Sequence, residues 1–328
     1  MRLSRRAACA LPALALPALA QTAAAGRAQG FPSQPVRVVL PQSTGSANDT
    51  VARVTADAFG RALGQPVVVD NRPGANGAVA INFLRQQRPD GHTLFMTGVS
   101  ALSFNPHLFP NLPYDAERDF TYVSPVTDSP FLLTASRRSG ITSAAQLLER
   151  ARREPGRVTY SSAGIGNSTH LSVEMLADCA GIELLHVPYS GAGQAFTAVV
   201  AGEADICIMV AAVALGPVQA GLVTPLAAIS RQRVPQLPNV PTQAEAGVEA
   251  PIMPGWFGLL GPAGMPEAVV SRVNAAMQAA LADEATQRRL MDSLLIPYPG
   301  SPADLLTRMR QDSAVWGDFI RRRDLRPV

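Results

Sequence analysis

From residue 35 onward, short apolar runs rich in β-branched residues alternate with stretches whose apolar positions recur at helical spacing. That alternation confines the chain to α/β architectures with parallel strands. The pattern predicts strands at 36–40, 67–70, 93–97 and 120–126, with helices at 50–63 and 74–85. A second unit follows, with strands at 131–135, 158–161, 184–187 and 206–210 and helices at 144–153, 169–180 and 192–201. The element register repeats, but no sequence repeat accompanies it. Prolines break regular structure between 234 and 254, after which a strand at 256–260 and helices at 266–282 and 302–322 end the chain. This late return predicts two α/β lobes joined by crossing hinge strands, lobe 1 from 30–127 with 254–328 and lobe 2 from 128–253. Hydrophobic residues at 47% against 16% charged supply the core that two lobes need and exclude charge-driven disorder. The cleft between such lobes is where small ligands usually bind.

The basic balance points elsewhere than it first suggests. All 28 basic residues are arginine, so no chemistry can rest on a lysine. Arg2, Arg5 and Arg6 precede an alanine- and leucine-rich stretch ending Ala18-Leu19-Ala20, the layout of a secretory signal peptide over residues 1–20, with a second cut conceivable after Ala28. Pro12 and Pro17 argue against a buried helix there, and the run is too short to span a bilayer, which needs ~20 residues. The Sec route is the expected one, since Arg5-Arg6 alone is slender evidence for a twin-arginine signal, and Cys9 stands too early for a lipobox. Residues 1–20 hold three of the 28 arginines and no acid, so the remaining 25 arginines face 25 carboxylates. The mature chain is then formally neutral, which with 5% aromatic residues removes the case for nucleic-acid binding. No later stretch reaches transmembrane length without a proline or charge, so a soluble periplasmic protein is expected. Cys179 and Cys207 either pair there, given Cα atoms within ~7 Å, or remain two buried thiols.

Three strand–loop–helix junctions are rich in small residues. In the first, Pro41 to Asp49, Ser46-x-x-Asp49 fits a capping box: the Ser46 hydroxyl accepts a first-turn N–H and Asp49 reaches back to the Ser46 N–H. The other first-turn N–H groups there are suited to an anion. The second runs from Tyr160 to His170, with Ser168 as N-cap and small residues that let a ligand approach the backbone. His170, at a helix start, is expected to stay neutral because the helix dipole opposes its proton, and either ligand contact or packing between elements explains it. In the third, His186 to Gly193, Tyr189 either turns its hydroxyl to the cleft or is a half-buried structural residue. There is no Gly-x-Ser-x-Gly elbow, no phosphate-binding loop, no complete dinucleotide fingerprint, and no metal-ligand spacing among His92, His107, His170 and His186. An exported serine hydrolase using Ser162 or Ser168 with His170 therefore lacks the spacing of a triad.

Several ordered stretches carry a resemblance over nearly the whole mature chain: Val69 to Gly77 (VDNRPGANG), Pro89 to Leu94 (PDGHTL), Leu112-Pro113-Tyr114-Asp115 with Asp119-Phe120, His186-Val187-Pro188-Tyr189, and Val240-Pro241-Thr242 with Glu245-Ala246-Gly247. Together they resemble the Bug family, the extracytoplasmic solute receptors of tripartite tricarboxylate transporters. The resemblance implies a type II periplasmic binding protein that closes like a flytrap on a small organic acid. It implies no enzymatic activity, cofactor or metal, a monomer, and partnership with the membrane components of such a transporter; service to a sensing system is the alternative. Carried over by position, the ligand-binding residues are Ser43, Thr44, Gly45, Ser46 and Asp49 on one lobe and Ser162, Ala163, Gly164, Gly166, Asn167 and His170 on the other. Tyr189 and Asp205 match further cleft-side positions. The family usually has proline at position 43 and glycine at 46. A serine at 46 disfavours positive φ and adds a hydroxyl, which is expected to reshape the grip on the carboxylate.

Overall fold

The computed structural model describes residues 30–253 and 255–325. The expected export leader, with Cys9 and both cleavage positions, lies outside the described residues, as do Pro254 and residues 326–328. Strands β1 (Val36–Leu40), β2 (Val67–Asn71), β3 (Thr93–Gly98) and β4 (Phe120–Asp128) enter one sheet. The next five, β5 (Phe131–Ser136), β6 (Thr159–Ser162), β7 (Leu185–Pro188), β8 (Ile206–Val210) and β9 (Val223–Ile229), build a second. The chain then returns to the first sheet through β10 (Trp256–Pro262) and β11 (Ile296–Pro297). The orders are β11-β4-β10-β3-β1-β2 and β7-β6-β8-β5-β9, with β10 antiparallel to both β3 and β4. The two crossings touch where the Ser129 N–H donates to the Gly255 carbonyl at 2.6 Å.

The helices are α1 (Ala47–Leu63), α2 (Ala78–Arg85), α3 (Asn105–Leu108), α4 (Ala144–Arg153), α5 (Ser168–Ala180), α6 (Ala192–Ala201), α7 (Ala211–Gln219), α8 (Glu267–Ala282), α9 (Glu284–Asp292) and α10 (Pro302–Arg322). They cover both faces of each sheet, which is why the central strands are near-continuous apolar runs. In β1, Val36, Val38 and Leu40 pack with Phe59 of α1 and Met277 of α8, while Val39 joins Ile81 and Leu84 of α2 on the opposite face. In β8, Ile206 and Ile208 face Leu171 of α5, and Cys207 and Met209 face Phe196 and Val199 of α6. A polar residue at Val39 would lose ~1.5–3 kcal/mol of burial and add the desolvation of its own polar group. Helix α1 ends at Gly64, whose φ of 86° a Cβ would disfavour.

Several elements go beyond the sequence pattern. Segment 206–229 is nearly all apolar, so its periodicity hides the turn into α7 and the edge strand β9, where Pro225 sits at a register shift. A single π-turn, Ser100–Phe104, runs into α3 where only loop was expected. Among the described residues Cys179 and Cys207 are free: Cys207 is buried in β8 and Cys179 is exposed on α5, so they are neither a disulfide nor two buried thiols. Among the described residues, no helix is long and apolar enough to cross a membrane.

Candidate ligand-binding cleft

Strand order lays out the cleft. From the crossing strands outward, the first sheet presents the carboxyl ends of β3, β1 and β2, and the second those of β8, β6 and β7. Residues following all six line one cavity of about 370 Å³. No arginine, histidine, aspartate or glutamate is among its lining residues.

The β1–α1 junction is held from behind. Ser46, at φ −72°, is the N-cap, and its hydroxyl accepts the Asp49 N–H at 3.2 Å. Asp49 does not complete the expected capping box: its carboxylate accepts the Gly45 N–H at 3.0 Å, while the Ser46 N–H goes to the Ser43 carbonyl. Positive φ falls on Gly45 (82°), so a serine at 46 carries no backbone strain. Asp49 is buried and also accepts from Arg53 Nε at 2.9 Å and Asn71 Nδ2 at 3.0 Å. Burial opposes its ionisation, but the bonds from Arg53, Gly45 and Asn71 outweigh that and hold its carboxyl below the ordinary value. Asn48 is pinned by donating to Gln42 Oε1 at 2.5 Å and to the Met96 carbonyl at 2.9 Å. The N–H groups of Ala47 and Asn48, at the first two positions of α1, have no acceptor among the described residues.

The β6–α5 loop, by contrast, satisfies itself. The N-cap is Asn167, one residue before the expected Ser168; its Oδ1 accepts the Thr169 N–H at 3.1 Å. The Ala163 N–H donates to Thr169 Oγ1, the Gly164 N–H to Ser162 Oγ and the Gly166 N–H to His170 Nδ1. Behind the loop, the Tyr160, His186 and His170 rings form a stack, with centroids 4.7 Å apart for Tyr160–His186 and 4.3 Å for His186–His170. Tyr160 is hydrogen-bonded to Glu174, and Ser162 Oγ and His186 Nε2 share a 2.7 Å bond. Burial lowers the His170 pKa to about 4, so it is neutral as expected, with desolvation as the cause in place of the helix dipole. Burial, with His170 alongside, also lowers His186 to about 4. Ser162 is fully buried and outside the cavity wall, so its bond to His186 does not offer a nucleophile to a ligand.

The β7–α6 junction supplies the opposing rim. Gly191 is the N-cap of α6 and lines the cavity, as do Tyr189, Ser190 and Ala192. A Cβ at Gly191 would lie 3.5 Å from Ser43 Oγ, so the starts of α1 and α6 face each other across the cleft. The Ala192 N–H likewise has no acceptor among the described residues. Tyr189 is half-buried, and burial together with the Glu203 carboxylate raises its hydroxyl pKa.

Of the residues carried over by position, Ser43, Ser46, Ala163, Gly164, Asn167 and Tyr189 line the cavity. Thr44 and Gly45 are exposed outside it, and Asp49, Ser162 and His170 support its walls from behind. Gly166 (φ 78°) abuts Leu108, whose Cδ1 would be 2.6 Å from an added Cβ. Asp205 sits at the far end of the second sheet, where its carboxylate accepts the Thr159 N–H at 2.8 Å and the Thr159 hydroxyl at 2.9 Å. Sequence reasoning missed the inner wall of Ser100, Phe131, Val210, Val213, Trp256 and Phe257. These read as strand or core residues, and only the positions of the crossings, at 129–130 and 255, signal that they meet.

Comparisons agree with this arrangement. Residues 51–325 match the model of the tripartite tricarboxylate transporter family receptor. BugT of Bordetella pertussis is 29% identical over 297 residues, 90% of each chain. Among solved structures, an R. palustris protein with adipate superposes with a TM-score of 0.85 at 29% identity, covering 89% of this chain and 97% of that one. MatC from Rhodopseudomonas palustris with bound malate gives 0.82 at 30% identity, covering 88% and 99%.

Proposed function

The chain belongs to the tripartite tricarboxylate transporter receptor family, a family of periplasmic solute-binding proteins, and from that membership and the cleft geometry we propose that it captures a small organic acid between its lobes. One observation carries the reading. The cavity has no charged side chain, yet the starts of α1 and α6 meet across it with unpaired N–H groups at Ala47, Asn48 and Ala192. Oriented donors at two helix N-termini, each with a partial positive charge of roughly half an elementary unit, suit a carboxylate without an arginine. The malate and adipate of the two R. palustris structures belong to the same chemical class. Ser43, Ser46 and Asn167 add side-chain contacts at the rim, while Asp49 and His170 hold the loops in place.

Closure couples to capture in this reading. The Ser168 N–H donates to Ser100 Oγ at 3.1 Å, and Arg323 pairs with Asp178 at 3.2 Å, both between elements of different sheets. A ligand touching both lobes favours the state in which these contacts exist. The protein, exported by its N-terminal leader and acting as a monomer, then presents the closed form to transporter membrane components. Isothermal calorimetry of ligand-stripped protein against mono- and dicarboxylates tests the reading, with binding of at least one acid expected. Tight binding of an unrelated solute and no binding of any carboxylate overturns it. An uptake defect in a deletion strain separates transport from sensing.

A further inference from the structure

The cavity is graded from a polar rim to an apolar floor. At the rim, α1 and α6 face each other across Ser43 and Gly191, and the N–H groups without acceptors lie there. One step inward, Ser100 Oγ accepts the Ser168 N–H, and Asn105 Nδ2 donates to the Tyr114 hydroxyl at 2.9 Å. At the crossing strands the wall is Phe131, Val210, Val213, Trp256 and Phe257. These form one surface: Phe131 pairs with Val210 in the second sheet, Phe257 pairs with Gly98 in the first, and a Cβ at Gly255 would lie 2.8 Å from the Phe131 ring. The single polar atom among these side chains, the indole Nε1 of Trp256, is taken by Asp312 Oδ2 of α10 at 2.6 Å.

We infer that the ligand is a monocarboxylate with an apolar body, its carboxylate at the α1/α6 rim and its chain or ring against Phe131, Trp256 and Phe257. The inference rests on the carboxylate-receptor reading and narrows it. A second carboxylate at the far end of a six-carbon chain would reach this wall of five side chains, which holds no cation and whose one donor, the Trp256 indole, is already bonded, and an ionised group is strongly disfavoured there. Methylenes placed there gain from burial.

Calorimetry on wild-type, ligand-stripped protein compares hexanoate with adipate and benzoate with terephthalate, with acetate and butyrate to complete the chain-length series. The monocarboxylate is expected to bind at least tenfold more tightly in each pair, and affinity to rise about three- to fourfold per methylene from acetate to hexanoate. A dicarboxylate that equals or exceeds its partner, or a flat chain-length series, overturns the inference while leaving the carboxylate receptor intact. Failure of every carboxylate to bind overturns both.

Discussion

Ser100 Oγ lies 3.1 Å from the Ser168 amide nitrogen, joining the segment after β3 to the start of α5 across the cleft. In the closure reading proposed above, this bond exists only while the lobes meet, so its free energy belongs to the closed state. Ser100→Ala is expected to weaken ligand binding by about two- to tenfold, the value of one net hydrogen bond. Calorimetry should show that loss while the ligand-free thermal midpoint stays unchanged; equal affinity would remove this contact from closure.

Asp49 gathers bonds from Gly45, Arg53 and Asn71 at the back of the α1 start. Asp49→Ala removes the acceptor shared by these three donors, which water can still reach, and should cost about 1–3 kcal/mol in urea denaturation. Because its folded pKa is lowered, the stabilisation from ionised Asp49 is present above the unfolded value of about 4 and fades as pH falls below it. The Asp49→Asn variant should lose that acid-range dependence.

Ser46 accepts the Asp49 N–H as N-cap of α1, with φ already negative. Ser46→Ala should destabilise by about 1 kcal/mol and Ser46→Gly by only a few tenths. Equal midpoints for wild type and Ser46→Ala would show that the cap bond contributes nothing net.

His170 and His186 are both lowered to about 4, chiefly by burial. Their neutral forms favour the folded state, so this stabilisation is complete above the unfolded pKa of about 6.5 and drains away as pH falls towards 4. Thermal midpoints measured from pH 7.5 to 4 should fall with a slope that His170→Gln reduces. An unchanged slope would place the acid sensitivity elsewhere.

The two thiols differ in reach. Cys179 is exposed, whereas Cys207 is buried against Thr134 with its pKa raised to about 12 by burial. In a chain starting at residue 21, Ellman's reagent should label one thiol natively, slowly because burial and neighbouring Asp178 raise the Cys179 pKa, and two after denaturation. No native labelling would contradict the free, exposed Cys179.

A short β-branched apolar run made β1 legible and a single apolar stripe made α4, α6 and α10 legible, whereas the period failed between 206 and 229, where nearly every residue is apolar. The loops after β1, β6 and β7 were legible as ligand-facing through their small residues. Which of their N–H groups remain available was not, because Gly45, Ala163, Gly164 and Gly166 spend theirs on side chains whose placement depends on packing. Sequence alone determined the α/β class, the two-lobe course of the chain and the family, since these follow from periodicity and ordered motifs along the chain. Tertiary structure decided that Asp205 lies away from the cleft, that α1 and α6 make its polar rim, and that Phe131 and Trp256 make its floor. Those outcomes depend on contacts between residues from 46 to more than a hundred positions apart, which no local pattern encodes.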